Sequence, residues 1–145
     1  GLDVIAGKRK ITGFFHDYSR TIEPNHAMIS AFGEEVGKLE WRKERELPEW
    51  AQAIFSPHMV AAGNVSKREE LDQLLELSLD SVDAYLTDIG NYNNEADSDE
   101  VKAAQNRYAH YQKQNPHTPK TMTSLGLDEE DVRVFVQECL FPDID

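Results

Sequence analysis

Gly1-Leu-Asp-Val-Ile-Ala-Gly7, the basic link Lys8-Arg-Lys10, and Ile11-Thr-Gly-Phe-Phe-His-Asp-Tyr18 form the stretch on which the fold turns. Leu2 to Ala6 is a short β-type run ended by Gly7, Ile11 opens a second run, and the link between them reads as a tight hairpin. Two strands cannot stand alone in water, so more sheet or a helix layer must cover them. The helices downstream supply at most one face of that cover.

Working outward, Asn25 is placed to cap a helix running to about Gly37, with Met28, Ile29, Phe32 and Val36 on one stripe. Leu47 to Pro57 carries Pro48 just inside a short helix and Pro57 just after it, and His58 to Ala62 reads as a returning strand. Ser66-Lys-Arg-Glu69 is a capping box, in which hydroxyl and carboxylate satisfy free amides at a helix start. The helix it opens places Leu71, Leu74, Leu75, Leu79, Val82, Leu86 and Ile89 at helical spacing, and Gly90 ends it. Asn91 to Ser98 is a polar loop. A further helix over about Asp99 to Lys113 presents Val101, Ala104, Tyr108 and Tyr111 on one side, and Asn115-Pro116 stops it. Asp128 caps a last helix whose Val132, Phe135, Val136, Cys139 and Leu140 are expected to face inward.

The chain has 145 residues, a length for which one domain is the default. A domain of this size buries about two-thirds of its unfolded surface, enough for a core without disulfide staples. Its one cysteine, Cys139, can form no internal disulfide, which points to an intracellular protein. No apolar run approaches the roughly 18 residues of a membrane span. The opening residues have neither a basic n-region nor an initiator Met, so they read as the continuation of something longer. With 15 Lys and Arg against 27 Asp and Glu, the formal charge is −12, which argues against general affinity for nucleic acid or anionic membrane. Local basic clusters remain at Lys8, Arg9, Lys10, at Arg42, Lys43, Arg45, and at Lys67, Arg68, and these could dock an acidic partner.

The motifs that carry chemistry are few. Gly7-Lys-Arg-Lys lacks the glycine spacing and hydroxyl of a phosphate loop. His16, His26, His58, His110 and His117 have no paired ligand spacing for a metal. Asn64-Val-Ser reads as a loop and helix cap. Asp3 is the unusual residue, a carboxylate inside an apolar β run. It is either an edge-strand residue facing water or a carboxyl in a partly apolar pocket, where desolvation lets it donate a proton near neutral pH. Asp17 is the other candidate acid, with a strand-end role in holding the loop to Tyr18-Ser-Arg as its plainer reading.

Gly1-Leu-Asp-Val-Ile-Ala-Gly with Ile11-Thr-Gly-Phe-Phe-His-Asp-Tyr-Ser19 resembles the strand pair of the ferredoxin-dependent bilin reductases. Leu47-Pro-Glu-Trp-Ala and Ile54-Phe-Ser-Pro resemble that family's next motif. Arg107-Tyr-Ala-His-Tyr-Gln-Lys-Gln-Asn-Pro116, then Leu125-Gly, then Cys139-Leu-Phe141, is similar in order and spacing to its C-terminal helices and Leu-Phe ending. The resemblance spans essentially the whole chain.

It implies a three-layer α/β/α sandwich with a central antiparallel sheet. Residues 1–145 would be a single unit carrying the later strands and C-terminal helices of a longer bilin reductase domain. The implied activity is reduction of biliverdin or a dihydrobiliverdin to a phytobilin such as phycoerythrobilin or phycocyanobilin. The resemblance also implies a protein with no metal or flavin of its own, to which reduced ferredoxin, carrying a [2Fe-2S] cluster, would supply electrons singly, with protein carboxyls protonating the bilin radicals. Asp3 falls at the family's central proton-donating aspartate. Asn115 falls where members that reduce the A-ring diene generally carry a second aspartate and where phycocyanobilin-forming members carry Asn. His16, Phe55, His117 and Lys120 would contact substrate, and Lys8, Arg9, Lys10, Arg42, Lys43 and Arg45 would dock acidic ferredoxin or hold propionates.

The departures from the family pattern are informative. The arginine that commonly follows the Phe-Ser motif is absent from His58-Met-Val-Ala-Ala-Gly63. The lysine after the second site is replaced by His117, with Lys120 as substitute. The family's upstream His and Glu pair would precede Gly1. A monomer in the cytoplasm or plastid stroma is implied. The competing readings are a non-catalytic bilin-binding or acidic helical interaction module, and an enzyme like red chlorophyll catabolite reductase.

Overall fold

The β-branched and aromatic residues of Ile11–His16 build the middle strand of a three-stranded antiparallel sheet. The strands are β1 (Leu2–Ala6), β2 (Ile11–His16) and β3 (Val60–Ala62), in the order β1-β2-β3. The computed structural model describes residues 1–19, 26–40, 44–91 and 97–145. The β1–β2 link is the expected tight hairpin, closed by the Gly7 N–H donating to Lys10 O at 2.9 Å. Leu2, Asp3 and Val4 pair with His16, Phe15 and Phe14, and these pair in turn with Val60, Ala61 and Ala62. Successive side chains point to opposite faces. One face therefore carries Leu2, Val4, Phe14, His16, Val60 and Ala62, and the other carries Asp3, Ile5, Gly13, Phe15 and Ala61.

The helices are α1 (Ala27–Val36), α2 (Glu49–Gln52), α3 (Arg68–Asp88), α4 (Ser98–Gln112), α5 (His117–Ser124) and α6 (Glu129–Val134), the last continuing as a π-helical segment over Phe135–Leu140. The chain divides into two compact units, Gly1–Leu47 with Phe55–Glu95, and Pro48–Ile54 with Ala96–Asp145. Sheet and helices together make the molecule α/β, as expected.

In the first unit α1 and α3 cover the Phe14 face of the sheet. Phe14, Phe32, Val36, Val60, Ala62, Val65, Leu74 and Leu77 form its core. Each such side chain stabilises the fold by about 1.5–3 kcal/mol on leaving water. The stripe expected on α1 is found, with Ile29, Phe32 and Val36 buried. His26 caps this helix, its Nδ1 accepting the Met28 N–H at 3.2 Å, and Asn25 lies outside the described residues.

Three expectations are corrected by the helices. The capping box of α3 is shifted by one residue. Glu70, not Glu69, turns back to accept the Ser66 and Lys67 N–H groups, at 3.5 and 3.4 Å. The buried face of α3 is Leu74, Leu77, Ser78 and Ser81, whereas Leu75, Leu79, Val82, Leu86 and Ile89 are exposed. Helical spacing identifies an apolar arc; it does not say which part of the arc meets the sheet. In the second unit, Phe135, Cys139 and Leu140 are exposed and only Val132 and Val136 of the expected inward set are buried. The π-helical pitch over Phe135–Leu140, where Phe141 N–H donates to Val136 O five residues back, shifts the residues after Val136 off the α-helical spacing of the stripe.

The fourth difference is α5, an element not anticipated from Asn115-Pro-His-Thr-Pro119. Both prolines sit at or before its first turn, where their missing N–H groups are not needed for helical hydrogen bonds.

Candidate active site

The open face of the sheet holds the residues most suited to chemistry. Every residue of β1 is exposed, Asp3 among them, on an edge strand of the three described strands. The cross-strand partner of Asp3 is Phe15, half-buried on the same face. Arg45 lies over that ring, with its guanidinium carbon 5.6 Å from the centroid, within the range of a cation–π contact. An acid, a ring and a guanidinium thus follow one another across one surface.

His16 is on the other side. It is 4 % exposed, and its ring lies edge-on to Phe32 with centroids 5.0 Å apart. Nδ1 is 2.9 Å from Gly1 O and Nε2 is 2.5 Å from Ser81 Oγ. A carbonyl can only accept, so the neutral ring donates from Nδ1 and accepts the Ser81 hydroxyl proton at Nε2. Burial holds the imidazole below its usual range, because a charged ring there loses water. His16 therefore lies on the face of the sheet opposite Asp3. Burial also pushes the Tyr18 phenol up, and its hydroxyl donates to Ser81 O.

Asp17 holds a distant segment, Ser56, and not the Tyr18-Ser loop of its plainer reading. It is 2 % exposed, its Oδ2 accepts the Ser56 N–H at 2.8 Å, and its Oδ1 accepts the Ser56 hydroxyl at 2.5 Å. The carboxylate therefore ties the end of β2 to the Phe55–Ser56 bend. Phe55 itself is half-buried in that bend.

Lys8, Arg9 and Lys10 project from the hairpin tip, all exposed, with Lys10 Nζ donating to Asn64 Oδ1 at 2.5 Å. Arg42 and Lys43 lie outside the described residues. Arg45, grouped with them in sequence, lies over the Phe15 ring with Nη1 3.4 Å from Thr12 O.

In the second unit Asn115 Oδ1 accepts the His117 N–H at 3.0 Å, so the amide serves as the cap of α5. His117 is exposed at the helix start. Lys120 lines a cleft of about 390 Å³ with Lys113, Arg133 and Glu129 at its rim and Val132 and Val136 among its walls. Asn115 is not among the residues lining that cleft.

Phe15, and the placement of Arg45 over its ring, were not foreseen. Parity along β2 contains the signal for Phe15, since it must face away from whichever side takes Phe14 and His16. Register with β1 is needed before that parity links it to Asp3. Among the described residues no three His, Cys, Asp or Glu side chains converge as a metal site, and no helix is long and apolar enough to cross a membrane.

A comparison with curated proteins finds no match. Among solved structures, PcyX is similar over 99 % of this chain and 57 % of its own length, at 28 % sequence identity and a TM-score of 0.58. The chain therefore spans little more than half of PcyX. The family model for ferredoxin-dependent bilin reductase matches residues 17–142, which begins just after the strand that carries Phe15 and includes every helix. With most of its length matched in this way, the chain belongs to the ferredoxin-dependent bilin reductase family.

Proposed function

We propose that the protein takes part in ferredoxin-dependent reduction of a linear tetrapyrrole, biliverdin or 15,16-dihydrobiliverdin, to a phytobilin such as phycoerythrobilin or phycocyanobilin. The observation that carries this reading, beside family membership, is the open sheet face on which Asp3 stands opposite Phe15. A flat conjugated ligand stacks on such a surface.

Each reduced double bond takes up two electrons and two protons. Reduced ferredoxin delivers the electrons one at a time, and the hairpin cations Lys8, Arg9 and Lys10 offer an acidic carrier a place to dock. Each added electron makes the conjugated nitrogen and carbon skeleton more basic. A carboxyl held against it can then fix where hydrogen enters. Asp3 fills that role in this reading. It is exposed on that face, within reach of a ligand laid over it. Asn115 has no removable carboxyl proton, so in this reading it is a hydrogen-bonding and not a protonating residue. Lys120 and His117 offer donors to a propionate from the same helix. The chain acts as a monomer in the cytoplasm or plastid stroma, where ferredoxin is available.

A second reading, bilin binding without reduction, is favoured by the full exposure of β1. Anaerobic incubation with biliverdin and reduced ferredoxin separates the two. Loss of the biliverdin absorption with appearance of a phytobilin spectrum supports the reductase. A bound-state spectrum that persists after ferredoxin is added supports the binding protein.

A further inference from the structure

The helix α3 buries Leu74, Leu77, Ser78 and Ser81. Tyr18 holds it in place, its hydroxyl donating to Ser81 O and its ring stacking on Tyr85 with centroids 6.4 Å apart. A second apolar row runs beside that packed face. Leu75, Leu79, Val82, Leu86 and Ile89 follow one another by alternating steps of four and three residues, and each is between 46 and 63 % exposed.

That alternation is the spacing at which one helix packs along another, because a row repeating every 3.5 residues stays on one side of a helix with about 3.6 residues per turn. The core of this unit uses the neighbouring row and leaves the regular one outside. An apolar residue standing singly on a surface needs no explanation. A continuous line of them over about 20 Å of helix marks an interaction surface.

Charge narrows the choice of partner. At about 100° per residue, Asp72, Glu76 and Asp83 fall along the side of the row away from the packed face, and all three are exposed. Asp72 pairs with Arg68 at 2.9 Å, whereas Glu76 and Asp83 form no ion pair among the described residues. Arg68–Asp88 as a whole carries one basic residue against seven acidic ones. A second copy would bring a like acidic helix against this one, each chain carrying a formal charge of −12, and an anionic lipid surface would repel it as well. A helix with basic residues beside its apolar row gains from both the row and the acids.

We infer that the outer face of α3 is a docking surface for an amphipathic helix of a partner protein, whose apolar row lies along Leu79, Val82 and Leu86 and whose flanking lysines or arginines meet Glu76 and Asp83. Because α3 covers the Phe14 face of the sheet, opposite Asp3, this docking is independent of the bilin reading.

The test is a fluorescence-anisotropy titration of the 145-residue chain into labelled synthetic peptides of about three heptads. The first peptide has Leu at the row positions and Lys beside them, another has Glu in place of Lys, and a third keeps Lys but has Ser in place of Leu. The Leu/Lys peptide should bind, and the other two should bind about tenfold more weakly or less. Leu86→Ser, at a site outside the core, should weaken the Leu/Lys peptide about tenfold while far-UV circular dichroism stays unchanged. Asp83→Lys should narrow the gap between the Lys and Glu peptides. No binding of the Leu/Lys peptide overturns the inference, as does equal binding of either control or binding unaltered by Leu86→Ser. A wild-type chain that sediments as a dimer and becomes monomeric in Leu86→Ser also overturns it, by giving the face to a second copy.

Discussion

Phe15 stands opposite Asp3 in the β1–β2 ladder, while its neighbour His16 points through the sheet to Ser81. One step along a strand thus separates the open face from the packed core. The same step decides which residues of this chain can meet a ligand and which hold the fold together, and the predictions divide along it.

Asp17 belongs to the fold. Replacing it with Ala leaves the buried Ser56 N–H and hydroxyl without their acceptor, and should lower stability by about 3 kcal/mol. Asp17→Asn keeps one acceptor oxygen and should cost less. Urea denaturation measures both; a midpoint unchanged by Asp17→Ala would contradict the role assigned to the carboxylate.

His16 makes stability depend on pH. Its folded-state pKa lies below the ordinary value of 6.5, so at mildly acidic pH the unfolded chain binds a proton that the folded chain does not. Unfolding is then favoured: the stabilisation is complete above about pH 6.5 and is lost as pH falls from there toward the lowered value. Denaturant melts at pH 7.5, 6.5 and 5.5 should show a progressive decline that is weaker in His16→Gln. Carboxylates contribute their own slope at lower pH, so the difference between wild type and variant is the informative quantity.

The two sides of α3 should respond differently. Leu77 is 5 % exposed and Leu86 is 63 % exposed. Leu77→Ala should cost about 3 kcal/mol and Leu86→Ala under about 0.5 kcal/mol in the 145-residue chain. Similar losses at both sites would mean that the helix packs through the other stripe.

Gly33 lets His58 pack against α1, since a Cβ there would sit 2.7 Å from the imidazole ring. Alanine gains up to about 1 kcal/mol of helix propensity over glycine, while overpacking costs about 1–3 kcal/mol. Gly33→Ala should therefore be net destabilising. In a His58→Ala background the clash is gone and the same change should become stabilising, a sign reversal readable in a double-mutant cycle.

These elements differ in how far the amino-acid pattern exposes them. The β1–β2 hairpin, α1 and α3 are legible because apolar periodicity and a turn or cap recur together. The orientation of α3 is not: Leu75, Leu79, Val82, Leu86 and Ile89 have the same spacing logic as the residues that are buried, and only packing against Phe14 and Val60 selects Leu74 and Leu77. The short helix α5 is hidden by Pro116 and Pro119, which stop the preceding helix and are also tolerated at the start of a new one. At the site, Asp3 stands out as a charge in an apolar run. Arg45 is legible only as one member of a basic cluster, because its place over Phe15 comes from pairing with the Ala61 carbonyl in the folded sheet.

The central claim is that Asp3 delivers a proton to a bilin held on this face. Its most direct measurement is the rate of biliverdin consumption by wild type and Asp3→Asn, under anaerobic conditions with reduced ferredoxin, beside the biliverdin Kd of each. The account predicts a rate lower by about 100-fold or more in the variant, the scale of a lost general acid, with Kd changed less than about threefold. A turnover rate in Asp3→Asn equal to that of wild type would contradict it.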